Sequence, residues 1–416
     1  MKQNSQTVVK DLVLIGGGHS HVAVLKNFGM KPLPGVRLTV IARDVHTPYS
    51  GMLPGYLSGH YDYDEVHVDL RPLCQFAGAR LFHSEAENID FLNKKVICNN
   101  RPAVAYDLLS INIGSTPHIE TVPGAEQYTT PVKPINNFVS RWDRLVKRIM
   151  EETGEHRIGV VGAGAAGVEV LLSMQYRLRQ LLDQRGRTAD KLSFSLICKS
   201  DQIMPAFPRH VSKRFDRVLE ERGVNVYRNA TAESVGPGDI TISDGSKINL
   251  DEILFVTEAG APKWLRATGL ELDENGFIKV EDTLQSVSHP DVFAAGDIAN
   301  VVNHPRPKAG VFAVRQGKPL AKNLRRLLLN RPPRPFRPQS SILALVSTGD
   351  KYAVAAKAGI SLEGQWVWAW KDWIDRRWMT KYSVLPEMED ETKSDIDPNL
   401  ADRDTIKEIS AIAMRC

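Results

Sequence analysis

Residues 13–24 read VLIGGGHSHVAV, and this stretch constrains the fold more than any other. An apolar strand runs into Gly16, Gly17 and Gly18. Apolar positions then recur at helical spacing through Val22, Leu25 and Phe28, with Gly29 expected as the helix stop. A second apolar run, VRLTVI at 36–41, completes strand, glycine turn, helix and strand, a βαβ unit. The same grammar returns further on. RIGVV (157–161) enters GAGAAGVEV (162–170), a long helix carries Val168, Leu171, Leu172, Leu178, Leu181 and Leu182, and LSFSLI (192–197) closes the unit. Two such units roughly 145 residues apart predict two domains, each a doubly wound α/β sheet of the Rossmann kind.

Each glycine of such a turn has a physical task. The first permits the tight turn, the second admits a pyrophosphate to the backbone N–H groups, and the third lets helix and strand close up. The second copy is complete, with Gly162, Gly164 and Gly167, and Ala165 and Ala166 open its helix. The first keeps Gly16 and Gly18 but has His21 where the packing glycine would stand. We read His21 as a helix histidine, satisfied locally and holding the helix slightly off the strand, in preference to a ligand.

Both units lack the carboxylate that usually ends the second strand and accepts the adenosine ribose hydroxyls. In the first unit Asp44, next to Arg43, can substitute. The second ends in Cys198-Lys199-Ser200, and a lysine with a serine suits a 2′-phosphate, so the residues lean to NADPH over NADH. A solvated loop lysine is the plain alternative for Lys199.

Composition excludes several classes. The net charge of +4 gives no reason to expect nucleic acid as a partner. The four cysteines, at 74, 98, 198 and 416, have no metal-ligand spacing, so no metal site is expected and a reducing, cytoplasmic compartment is. The N-terminus has no signal-peptide core, and no apolar run approaches the roughly 20 residues of a membrane span, so the chain is expected to be soluble or at most peripheral. Residues 223–256 read as a meander with a turn at SDGS (243–246), and RPPRPFRP (331–338) reads as a linker. A smaller C-terminal α/β unit follows, then an acidic tail from Glu387.

Residues 290–299, PDVFAAGDIA, resemble the second flavin fingerprint of the pyridine nucleotide–disulfide oxidoreductase superfamily, the two-dinucleotide flavoproteins. LLSINIGSTP (108–117) resembles that family's crossing out of the FAD domain, and AGAPKWL (259–265) its return. The resemblance implies an FAD domain at 8–117 and 275–330, an NAD(P)H domain at 118–274 inserted within it, a cap at 338–386 and a tail at 387–416. It assigns FAD to Gly16, Gly18, His19, Ser20, Arg43, Asp44, Ser50, Gly51, Pro54, Ala86, Gly114, Gly296, Asp297, Ala309, Gly310, Val311 and Phe312. It assigns NAD(P)H to Gly162, Gly164, Ala165, Ala166, Gly167 and Lys199. Lys308 is expected at the N1–C2=O edge of the flavin and Glu169 where nicotinamide meets flavin, the two residues expected to take part in the chemistry.

Disulfide reductases of this family carry a dithiol shortly after the first unit's second strand. Here that region reads HTPYSGMLPGYLSGH (46–60), without cysteine. Electrons must then pass directly from flavin to acceptor, the pattern of type II NADH dehydrogenases and related quinone reductases. A sulfide:quinone reductase is the less favoured alternative, because none of the four cysteines stands at a matching place. TPYSGMLPGYL (47–57), PKAGVFAVRQG (307–317) and VSTGDKYAV (346–354) also resemble the flavoprotein module fused in front of selenide, water dikinase. Met414-Arg415-Cys416 look like the lead-in to that kinase, whose catalytic loop is absent, so no kinase activity is expected. A flavin module partnering such a kinase is therefore a second reading. Five tryptophans lie in QWVWAWKDWIDRRWMTKY (365–382). Trp370, Trp373, Ile374 and Trp378 share one helical face, opposite Lys371, Asp372, Asp375 and Arg376. The plainer reading makes the tryptophan face a packing face, shielding the flavin or a dimer partner. The other lays it on a membrane to reach quinone.

Overall fold

The computed structural model describes residues 7–386 apart from 118 and 258. Two five-stranded sheets organise them. In the first, Val292–Ala294, Leu108–Ile111, Lys10–Ile15, Val36–Ala42 and Arg80–His83 lie side by side, all parallel. In the second the order is Thr130–Pro131, Glu252–Phe255, His156–Val161, Leu192–Ile197 and Val224–Tyr227, again parallel throughout. The central strands are continuous apolar runs, as sheets covered on both faces require: Leu12, Val13 and Leu14 have no exposed surface. The strand Val292–Ala294 rejoins the first sheet after the second sheet is complete, so one α/β unit interrupts the other. The two crossings meet where Thr116–Pro117 pairs antiparallel with Ala259–Gly260.

Two sequence expectations are corrected. The helix His19–Met30 runs through Gly29, which is not a stop. A Cβ at Gly29 would lie 2.3 Å from the Phe76 ring, so close packing of Leu70–Phe76 is what requires glycine there. The stretch 223–256 is not one meander. Its ends, Val224–Tyr227 and Glu252–Phe255, belong to the parallel sheet, and only Ala232–Gly236, Asp239–Ile242 and Lys247–Asn249 form an antiparallel set. Short strands of either kind look alike in sequence, and partners in the sheet decide which they become.

Helix His19–Met30 lies against helix Gly310–Leu328. Their approach is close because Gly317 faces Ala23, where a Cβ would come within 2.5 Å. The segment 331–338 has no regular structure but is tied down, Phe336 N–H donating to Asp282 at 2.7 Å. Beyond it three antiparallel strands, Ala344–Ser347, Ala353–Lys357 and Ile360–Gly364, carry the helix Gln365–Ser383.

That helix is turned over relative to expectation. Val367, Lys371, Asp375, Met379 and Tyr382 are buried, whereas Trp366, Trp370 and Trp373 are 56%, 37% and 55% exposed. The charged residues can face inward because they pair: Lys371 Nζ lies 2.7 Å from Asp375 Oδ2 and donates to Gly51 O at 2.5 Å. Of the tryptophans expected on the packing face, Trp378 packs inward. No helix of the described residues is long and apolar enough to cross a membrane. The acidic tail and the kinase lead-in lie outside the described residues.

Candidate active site

The first glycine turn is built around a residue that sequence reasoning missed. Asn112, just beyond strand Leu108–Ile111, accepts at Oδ1 from the N–H of Ser20 (3.0 Å) and His21 (3.3 Å), and its own Nδ2 donates to Ala295 O at 2.6 Å. Its backbone carbonyl accepts from Gly18 N–H at 3.1 Å. A Cβ at Gly16 or Gly18 would meet Asn112 atoms at 2.4 Å, so both glycines are dictated by this crossing residue. Ser20 Oγ donates to Ala313 O at 2.6 Å, binding the turn to helix Gly310–Leu328.

His21 is fully buried. Its Nδ1 donates to Gly16 O at 2.6 Å, which fixes the tautomer and leaves Nε2 to accept from Ser110 Oγ at 2.8 Å. Burial lowers its pKa to about 4, so the ring is neutral. The packing reading of His21 therefore matches the geometry. His19 is different. Its ring stacks obliquely on Tyr49 and Trp378, with centroids 5.4 and 5.2 Å away, and its buried Nε2 has no partner among the described residues. Burial again lowers the pKa to about 4.

Gly296, Asp297, Lys308, Ala309 and Phe312 line one pocket. Gly296 has φ +73°, and its N–H donates to Gln316 Oε1 at 2.6 Å. Ser50 adjoins Gly310: a Cβ on that glycine would lie 2.7 Å from Ser50 Oγ. Pro54 is buried in the short helix Leu53–Leu57, and Val311 lies in the first turn of the pocket helix. Gly114 faces open space on the crossing segment. Ala86 is buried at the start of strand Ala86–Asp90, just past Ser84, whose N–H donates to Ala42 O. Arg43 and Asp44 stand at the outer end of Val36–Ala42 and pair with each other at 2.9 Å. Lys308 Nζ donates to Ala299 O at 2.7 Å and lies over the Phe277 ring, and burial lowers its pKa to about 8.

In the second unit Gly162 has φ +111° and its Cβ would meet Val256 O. A Cβ at Gly167 would lie 1.8 Å from Gly162 O, so helix and strand touch through glycine alone. Gly164 has nothing in front of it within 4 Å, which leaves the turn open to a phosphate. Ala165 and Ala166 form the first turn of the helix Ala165–Asp183. Lys199 is exposed at the end of Leu192–Ile197.

Glu169 joins the two units through the cap. Its Oε1 accepts from Ser347 N–H at 2.7 Å. Burial raises its pKa to about 7, against the pull of the Lys371 ammonium. Lys371 in turn sits between Asp375 and the Gly51 carbonyl, and Tyr49 and Asp375 both border Gly51. Burial raises the pKa of Asp375 too. This enclosed cluster holds one cation and two carboxylates beside the 49–54 loop. Lys371 and Asp375 were missed because a helix repeat alone assigns charges to solvent. Cys74, Cys98 and Cys198 are all buried, and burial pushes the Cys74 thiol up to about 12.

Two glycine-turn units, one set within the other, define a two-dinucleotide oxidoreductase. Residues 10–317 match the family Pyridine nucleotide-disulphide oxidoreductase, and the chain belongs to it. It is 25% identical over 302 residues to the NADH dehydrogenase-like protein YutJ of Bacillus subtilis, covering 71% of this chain and 79% of that one. The fold is similar to the sulfide:quinone oxidoreductase of Aquifex aeolicus, with TM-score 0.75 at 18% identity, covering 90% of this chain and 92% of that one. It is also similar to NDH2 of Plasmodium falciparum in complex with NADH, with TM-score 0.74 at 14% identity, covering 91% and 100%.

Proposed function

We propose that this chain is an FAD-dependent NAD(P)H:acceptor oxidoreductase that passes electrons directly to a quinone-like or protein acceptor. The observation that carries the reading is the pair of glycine-turn units set one within the other, with no cysteine among residues 46–60. The residues fit the two nucleotides: the first turn ends in a buried His19 Nε2 that has no partner among the described residues, and the second presents Gly164 to open space. When bound, the flavin supplies hydride acceptance and the onward release of electrons.

The chain's own residues do the rest. Gly16, Gly18 and the start of helix His19–Met30 seat the flavin pyrophosphate. Gly162, Gly164 and Gly167 seat that of the nicotinamide nucleotide, and Lys199 beside Ser200 favours a 2′-phosphate. Glu169 holds a proton near neutral pH because burial raises its pKa to about 7 against the pull of the Lys371 ammonium. That proton stands beside the loop Tyr49–Pro54, where an accepting quinone would need one. Trp366, Trp370 and Trp373, with exposed Arg376, Arg377 and Lys381 on the same helix, give the cap a face suited to a lipid surface.

The test is a visible spectrum of the purified chain, followed without oxygen by NADH, then NADPH, then a soluble quinone analogue. Bleaching by one nucleotide and recovery on quinone is the expected result, and it names the donor. A bound flavin that neither nucleotide reduces sinks the dehydrogenase reading and turns the assignment to a flavin module partnering a selenide, water dikinase.

A further inference from the structure

Asp297 is a partly buried carboxylate, its side chain 15% exposed, on the turn that follows strand Val292–Ala294. Its partners are not where the family fingerprint lies. Lys133 Nζ reaches it at 2.7 Å and Ser115 Oγ donates to it at 3.2 Å, and Lys133 also donates to Ser115 Oγ at 2.8 Å. Burial alone would raise the Asp297 pKa. The Lys133 ammonium, helped by the Ser115 hydrogen bond and His19, more than offsets this and holds it below the usual value. Lys133 comes from the interrupting unit, two residues after its edge strand Thr130–Pro131. The same segment is seated on the first unit a second time: Asn136 Nδ2 donates to His46 O at 3.0 Å and its Oδ1 faces His67 Nε2 at 3.1 Å.

We propose that Lys133 is a positioning residue of the flavin site, reaching across from the second unit to hold Asp297 and to supply the positive charge that balances it. The proposal rests on the reading of Gly296 and Asp297 as flavin-binding. Hydride acceptance leaves a flavin with added negative charge. With Lys133 present the carboxylate and ammonium sum to zero beside it. Without Lys133, Asp297 stands uncompensated in a largely dry site, where a charge acts strongly, and the reduced form is disfavoured. One side chain thus ties the seating of the nicotinamide unit to the redox poise of the flavin.

The experiment is equilibration of the flavin-loaded protein, without oxygen, against a redox dye of known potential, reading the ratio of reduced to oxidised flavin by absorbance. Lys133→Met is expected to lower that ratio about tenfold at a fixed dye poise, which is about 30 mV for a two-electron couple. Lys133→Arg is expected to stay within about threefold of the parent, as is the double variant Lys133→Met with Asp297→Asn, since both keep the local charge at zero. A lysine that only braced the two units would give no such recovery in the double variant. Should Lys133→Met release its flavin, Lys133→Gln retains a donor amide without the charge and carries the same comparison. A Lys133→Met protein that holds flavin at a ratio within twofold of the parent overturns the proposal while leaving the oxidoreductase reading intact. A parent protein that takes up no flavin overturns both.

Discussion

A histidine at position 21 and a glycine at position 167 stand at the same step of two parallel motifs and meet the same carbonyl in different ways. At Gly167 the absence of a Cβ lets Gly162 O come close. At His21 a ring fills the gap and hydrogen-bonds Gly16 O instead. His21→Ala would leave Gly16 O and Ser110 Oγ buried without partners beside a new cavity. The expected cost is about 2–4 kcal/mol, read from the urea midpoint. Glu169 carries a prediction in pH. Its pKa is raised to about 7 in the fold, above the usual carboxylate value, so the folded state holds the extra proton. Its favourable contribution is complete below about pH 4.5 and is lost as pH rises through about 7. Glu169→Gln should therefore flatten the fall in Tm between pH 5 and 8, measured against the parent. An unchanged slope would show that the carboxylate is not enclosed.

Single elements explain why the site has two halves that can be disabled separately. The turn 162–167 serves only the second unit, while Asn112 and helix Gly310–Leu328 serve the first. Gly167→Ala forces the helix Ala165–Asp183 off its strand and tilts the N–H groups proposed to seat the nucleotide phosphate. The expected outcome is a rise of about tenfold or more in KM for the nicotinamide nucleotide, about 1.4 kcal/mol, with the flavin content per chain unchanged. Loss of flavin in that variant would mean that the two units do not divide the cofactors in this way. Helix Gln365–Ser383 is the other telling element. Its sequence repeat shows two faces, yet the repeat cannot say which face turns inward. The inward face is charged because Lys371 finds Asp375, Gly51 O and Glu169 within the same enclosure.

At the scale of the molecule, the inversion of that helix leaves three tryptophans exposed at the edge of the cap. Trp366→Ser with Trp370→Ser and Trp373→Ser is expected to abolish co-sedimentation with anionic phospholipid vesicles and to leave reduction of the flavin by nicotinamide nucleotide unchanged. Equal sedimentation of parent and variant would assign the face to something other than lipid. The cap also explains how the buried Glu169–Lys371–Asp375 cluster forms at all. Glu169 comes from the second unit, Gly51 from the first and Lys371 from the cap, so the chain must bring three parts together before the cluster exists.

The sequence alone determined the two glycine-turn units, their order and the absence of cysteine from residues 46–60, while the interruption of one unit by the other came from the family resemblance. These are local patterns: glycine where the backbone must turn or touch, apolar runs where strands are covered, cysteine present or absent at a spacing. Only the tertiary structure decided the partners of each site residue. Asn112 orders the first turn from 92 positions away, counted to Ser20, and Lys133 meets Asp297 across 164 positions. It also decided which face of the tryptophan helix is buried. Pairing in a dry enclosure depends on which charges arrive from elsewhere in the chain, and a helical repeat holds no record of its neighbours.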